Sequence, residues 1–151
     1  MLDGTTKADD GAPFIVAGMP MYNEEETIGT VVTLALKYAD AVICVDDGSS
    51  DSSARIAEAC GATVIRHRVN RGYGGALKSL FIKAIEMNAT ALVVLDSDGQ
   101  HEAADIPQLL KPILDKQADF VIGSRFIDGG GGTDMPAYRR LGIKVITAAS
   151  N

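Results

Sequence analysis

AVICVDDGSSDSSARIAEAC, residues 41–60, holds the unit from which the rest of the chain can be read. Ala41 to Val45 is a continuous apolar, β-branched run, the pattern of a strand buried on both faces. DDGSSD, residues 46–51, is a polar turn. Ser52 to Cys60 then carries apolar residues at helical spacing, with Ser50 or Asp51 placed to cap its start and Gly61 placed to end it. The same alternation recurs on both sides. Phe14 to Ala17, Thr63 to Ile65, Ala91 to Leu95 and Phe120 to Ile122 read as strands. Thr27 to Lys37, Gly75 to Met87 and Asp105 to Lys116 read as helices, the last with Pro107 in its first turn. Strands alternating with helices imply an α/β architecture, a mostly parallel sheet with helices on both faces.

The 151 residues, 46% of them hydrophobic, suit one domain with a substantial core. A net charge of −6 argues against non-specific attraction to nucleic acid or to an anionic membrane surface, so a phosphate ligand has to be held locally, through a cation. No run approaches the roughly 18 apolar residues of a membrane span, and MLDGTTKADDGAP lacks the basic and apolar regions of a signal peptide. The expected location is cytoplasmic. Residues 1–12 read as a polar, flexible leader, and DGGGGT, residues 128–133, as a flexible loop before a basic helical segment. Cys44 in an apolar strand and Cys60 at a helix end suit reduced core residues rather than a disulfide or metal set.

In an open parallel sheet, ligands bind beyond the carboxyl ends of the strands. The polar clusters fall there: MPMYNEE at 19–25, DDGSSD at 46–51, DSDGQH at 96–101 and GSR at 123–125. Side chains on an extended chain repeat every two residues, so Asp96 and Asp98 are expected to point to one side and Ser97 to the other. Two carboxylates so placed can share a hard cation. Mg²⁺ or Mn²⁺ takes oxygen ligands, and Mg²⁺ commonly uses one or two carboxylates and fills its shell with water and substrate phosphate. Gln100 can add a neutral oxygen. A plain turn accounts for the same residues, since Asp and Gly are ordinary turn formers. In DDGSSD, a capped helix start competes with a base-contacting aspartate; adjacent aspartates face opposite ways, so one of the pair would meet the base. NRGYGG, residues 70–75, leads glycine-rich into a helix whose amides can meet phosphate.

Taken in order, PMYNE, VDDGSSD, NRGYGGA, LDSDGQH, GSRF and RR resemble the blocks of family 2 glycosyltransferases with the GT-A (nucleotide-diphospho-sugar transferase) fold, most closely the dolichol-phosphate and polyprenyl-phosphate sugar synthases. The resemblance covers residues 13–144. It implies that Pro20, Tyr22 and Glu24 surround the nucleotide and that Val45 and Asp47 contact the base. It makes Asp96, Ser97 and Asp98 the DxD element, with Gln100 also reaching the metal. Arg125 matches an arginine near the transferred sugar and phosphates, and Arg139 or Arg140 an arginine that holds phosphate. On this likeness Asp98, Arg125 and Arg140 are the candidate catalytic residues.

The implied reaction moves a hexose, with inversion, from GDP-mannose or a UDP-sugar to a polyprenyl (dolichyl) phosphate, with Mg²⁺ or Mn²⁺ as cofactor. An ionised lipid phosphate attacks without a general base, and none remains once Asp47, Asp96 and Asp98 are assigned. The resemblance also implies that residues 13–151 form a catalytic domain truncated at its C-terminus, which peripheral membrane association through the acceptor or the missing segment would suit. Three other readings compete: transfer to a saccharide hydroxyl, a haloacid-dehalogenase-type phosphatase using VVLDSDGQ, and a non-catalytic nucleotide-binding module. The phosphatase reading leaves PMYNEE and DDGSSD without a role, and places at the fourth strand a motif that normally closes the first.

Overall fold

The computed structural model describes residues 11–99 and 102–123. Nearly all of these fall in one compact unit ending at Val121; Ile122 and Gly123 belong to a second. Within the first unit, β1 (Ile15–Met21), β2 (Ala41–Asp46), β3 (Thr63–Arg66) and β4 (Ala91–Val94) alternate with α1 (Ile28–Ala35), α2 (Ser53–Ala59), α3 (Gly72–Glu86) and α4 (Ile106–Leu114). A short 3₁₀ turn, Ala103–Asp105, leads into α4. The strands are parallel and lie in the order β3-β2-β1-β4. The order reverses beside β1, which leaves a crevice between its carboxyl end and that of β4.

Side-chain parity explains why strands this apolar are needed. Ile15, Ala17, Met19 and Met21 of β1 join Val42 and Cys44 of β2 in a core covered by α1, α2 and α4. Val16, Ile43 and Val45 point the other way, onto Ala76, Leu80 and Ala84 of α3. Both faces of the sheet are therefore sealed. Gly18 of β1 faces α3 without a side chain: a Cβ there would come within 2.5 Å of the Leu80 methyls, so glycine is what lets the helix lie this close. Burial pushes the Cys44 thiol up to about 12, with the neighbouring Cys60 adding to the shift. Both cysteines are free.

Two expectations are corrected. α3 begins at Gly72, three residues earlier than the glycine-rich sequence suggests, because packing of Ala76, Leu80 and Ala84 on the sheet outweighs the weak propensity of its first turn. The run Phe120 to Ile122 forms no strand, and Phe120 and Ile122 are 76% and 75% exposed. A strand requires a ladder partner, which apolar composition alone does not supply. Most of the expected leader, and the glycine-rich and basic segments after residue 123, lie outside the described residues. Among the described residues no helix is long and apolar enough to cross a membrane.

Candidate active site

The β1–α1 loop is locked to the β2–α2 loop by reciprocal polar contacts. The Asn23 amide donates to Ser49 Oγ (2.9 Å), and the Ser50 amide to Asn23 Oδ1 (2.9 Å). The Glu24 amide donates to Ser53 Oγ (2.7 Å), the Glu25 amide to Asp51 Oδ2 (3.1 Å), and the Ser52 amide returns a bond to Glu25 Oε2 (2.9 Å). These bonds satisfy amides of both loops and hold two strand ends in fixed relation, and the Ser53 amide, the first of α2, donates to Asp51 Oδ1 at 2.9 Å. Most of DDGSSD is thus a cross-link and a helix start. Asp46, buried, accepts the Ser49 amide at 2.9 Å. Gly48, at φ +84°, turns the chain where a Cβ would stand 3.0 Å from the Asn70 amide nitrogen, so the loop reaches the α3 arm only with glycine there.

Asp47 has a different setting from its neighbour. Its amide donates to the Met21 carbonyl (3.0 Å), and its Oδ1 accepts both the Arg71 amide (2.9 Å) and His67 Nδ1 (2.7 Å). Burial raises the carboxyl's pKa. Hydrogen bonds from His67 and from the Arg71 and Gly72 amides, with the His67 charge, outweigh it, and Asp47 titrates below the ordinary aspartate value.

Asp96, Ser97 and Asp98 do not continue β4 as an extended run. The strand ends at Val94 and the chain turns through Ser97 and Asp98. Strict alternation therefore does not apply, and all three residues line the crevice. Ser97 is buried, and its carbonyl accepts the Thr27 hydroxyl at 2.8 Å, tying this turn to the start of α1. Tyr73, at the start of α3, stands near Asp96: partial desolvation of the phenol, and then the Asp96 charge, raise its pKa.

The crevice, of about 260 Å³, is lined by Pro20, Met21, Tyr22, Glu24, Asp47, Asn70, Gly72, Tyr73, Ala76, Asp96, Ser97 and Asp98. It brings Pro20, Tyr22, Glu24, Asp47 and the DSD residues together from three strand ends. Val45 stands apart: it is completely buried against α3 and does not line the crevice. Gln100, Arg125, Arg139 and Arg140 lie outside the described residues. Asn70, Tyr73 and Thr27 were not singled out by sequence reasoning; the first two sit in NRGYGG, where the glycines drew attention to the backbone. His67 left no motif at all, only the parity that puts it on the same face as Ile65.

The lining includes four carboxylates and, among the described residues, no lysine or arginine. Such a donor set repels a bare diphosphate and suits a hard divalent cation, which inverts the local charge. Among the described residues no group of three or more acidic, histidine or cysteine side chains is placed to hold a metal ion by itself.

The Glycosyl transferase family 2 profile matches residues 17–148, and the chain belongs to that family. It is 32% identical over 142 residues to the UDP-N-acetylglucosamine–dolichyl-phosphate N-acetylglucosaminyltransferase of Methanococcus voltae, covering 82% of this chain and 57% of that protein. It is 34% identical over 133 residues to the undecaprenyl-phosphate mannosyltransferase of Micrococcus luteus, covering 82% and 53%. Among solved structures, glucosyl-3-phosphoglycerate synthase from Mycobacterium tuberculosis, crystallised with Mn²⁺, UDP and glucosyl-3-phosphoglycerate, superposes with a TM-score of 0.57 at 28% identity, covering 69% of this chain and 40% of that one. The fold is GT-A, as in that neighbour. The chain spans about half the length of the curated relatives it matches.

Proposed function

We propose that this protein transfers a hexose, with inversion, from a nucleoside diphosphate sugar to the phosphate of a polyprenyl lipid, using Mg²⁺ or Mn²⁺. The observation that carries this reading is the convergence of Asp47, Glu24, Asp96 and Asp98 on one crevice where the strand order reverses. The relatives that act on dolichyl and undecaprenyl phosphate support the acceptor.

In this reading Asp47 accepts an N–H from the base, with Tyr22 and Glu24 beside the nucleotide. The first turn of α3 beyond Gly72 offers backbone amides to phosphate. Asp96 and Asp98, with Gln100 as a further ligand, would hold the cation, which would supply positive charge at the diphosphate. Arg125 and Arg139 or Arg140 grip phosphate oxygens by paired N–H donors. An already ionised lipid phosphate needs no proton removed before attack. Access to such a lipid fits a protein working peripherally at the cytoplasmic face of a membrane.

The test is transfer of radiolabelled sugar from GDP-mannose and UDP-sugars, with Mn²⁺, into organic-extractable polyprenyl phosphate. Lipid-linked label released by mild acid is expected. Label appearing only on hydroxyl acceptors would move the protein to saccharide or phosphoglycerate chemistry, as in the solved neighbour.

A further inference from the structure

His67 is a buried side chain that the proposed reaction leaves unused. It follows β3, and its amide donates to the Asp46 carbonyl at 2.8 Å, extending the β2–β3 ladder by one step. Sharing parity with Ile65, which packs toward α3, its ring turns beneath that helix. Both ring nitrogens are engaged: Nδ1 with Asp47 Oδ1 at 2.7 Å, and Nε2 with Ser79 Oγ of α3 at 2.8 Å. The side chains of His67 and Asp47 are 4% and 6% exposed. An ionised carboxylate can only accept, so Nδ1 carries the proton toward Asp47. The order Asp-His-Ser has the connectivity of a hydrolytic triad, but a buried ring linking a strand end to a helix gives a substrate carbonyl no approach. The arrangement anchors Asp47.

We propose that His67, braced by Ser79, is a positioning residue for nucleobase recognition. With Oδ1 held by the imidazole and the Arg71 amide, the carboxylate is fixed in rotation where it lines the crevice. A lone carboxylate on a strand end would sample several orientations, and recognition of this kind tolerates displacements of only about 0.5 Å. The effect falls on the base and not on the diphosphate, which is bound elsewhere in the crevice. This inference rests on the reading of the crevice as a nucleotide site.

The test measures binding of Mn²⁺-UDP, Mn²⁺-GDP and Mn²⁺-pyrophosphate to the 151-residue chain and its variants by calorimetry. His67→Leu is expected to weaken the preferred nucleotide about tenfold, the scale of one lost hydrogen bond to a charged group, and to leave pyrophosphate within about twofold. His67→Asn, which keeps a donor near Nδ1, should recover most of the affinity. Ser79→Ala should lose about threefold with nucleotide only, and with His67→Asn it carries the test if His67→Leu does not fold. Equal losses for nucleotide and pyrophosphate would make His67 merely structural and overturn the proposal, as would unchanged nucleotide affinity in His67→Leu. A wild-type protein that binds pyrophosphate but no nucleotide would instead sink the nucleotide reading itself, and this proposal with it.

Discussion

Adjacent aspartates in one motif carry unlike tasks because the sheet turns them apart. Asp46 closes a turn on the Ser49 amide, whereas Asp47 lines the crevice. Sequence alone left that pair open, and only a family likeness pointed to the second. The DSD turn is where substitution speaks most directly to function. Asp98→Asn keeps shape and removes a charge from an exposed position, so the fold should survive while transfer is abolished. Metal-dependent nucleotide binding should fall at least about tenfold, or about 1.4 kcal/mol. Calorimetry of UDP and GDP with and without Mg²⁺ checks this; affinity that ignores both the ion and the substitution removes Asp98 from the metal site.

The close approach of α3 to β1 belongs to the scale of elements. Leu80 is fully buried and fills the space above Gly18. Gly18→Ala forces the Leu80 methyls aside in a sealed layer, and overpacking of this kind costs about 1–3 kcal/mol. Leu80→Ala leaves a cavity worth about 2–5 kcal/mol. Because the two side chains compete for one volume, the double variant should be more stable than the sum of the single losses predicts. Urea titrations of the three variants give the coupling directly, and strict additivity would show that α3 simply shifts away. Since α3 also carries Ser79 and opens at Gly72, a shift of the helix should be felt at the site as well.

For the molecule as a whole, acid is the informative variable. Asp47 and Asp51 both titrate lower in the fold than the ordinary aspartate; at Asp51, burial raises the value, but hydrogen bonds from Ser53 and the Glu25 amide lower it more. An unfolded aspartate titrates near about 3.9. Depressed carboxylates therefore contribute their full stabilisation above that value, and it is lost as pH falls through their folded values. The urea midpoint should be level, as far as these groups decide it, from neutrality to about pH 4.5 and drop below about pH 3.9. Asp47→Asn should make the drop shallower; a midpoint equally steep in both proteins would show that other carboxylates govern it.

Strand and helix positions were legible in the chain because they follow from local periodicity: an apolar run buried on both faces, then apolar residues at helical spacing, as in residues 41–60. Parallel pairing followed from the alternation. The polar clusters at strand ends, and their likeness to a family, marked Glu24, Asp47, Asp96 and Asp98 as members of one site. Other features needed the folded chain, because they depend on contacts between residues distant in sequence. Phe120 to Ile122 has a strand's composition but no ladder, and Val45 is turned into the core by the parity of β2. The DSD aspartates reach the crevice around a turn and not along a strand. His67 acquires its setting only when β3, β2 and α3 meet around it. Periodicity is written in the order of residues; which side chain meets which is decided by the burial that closes the two layers.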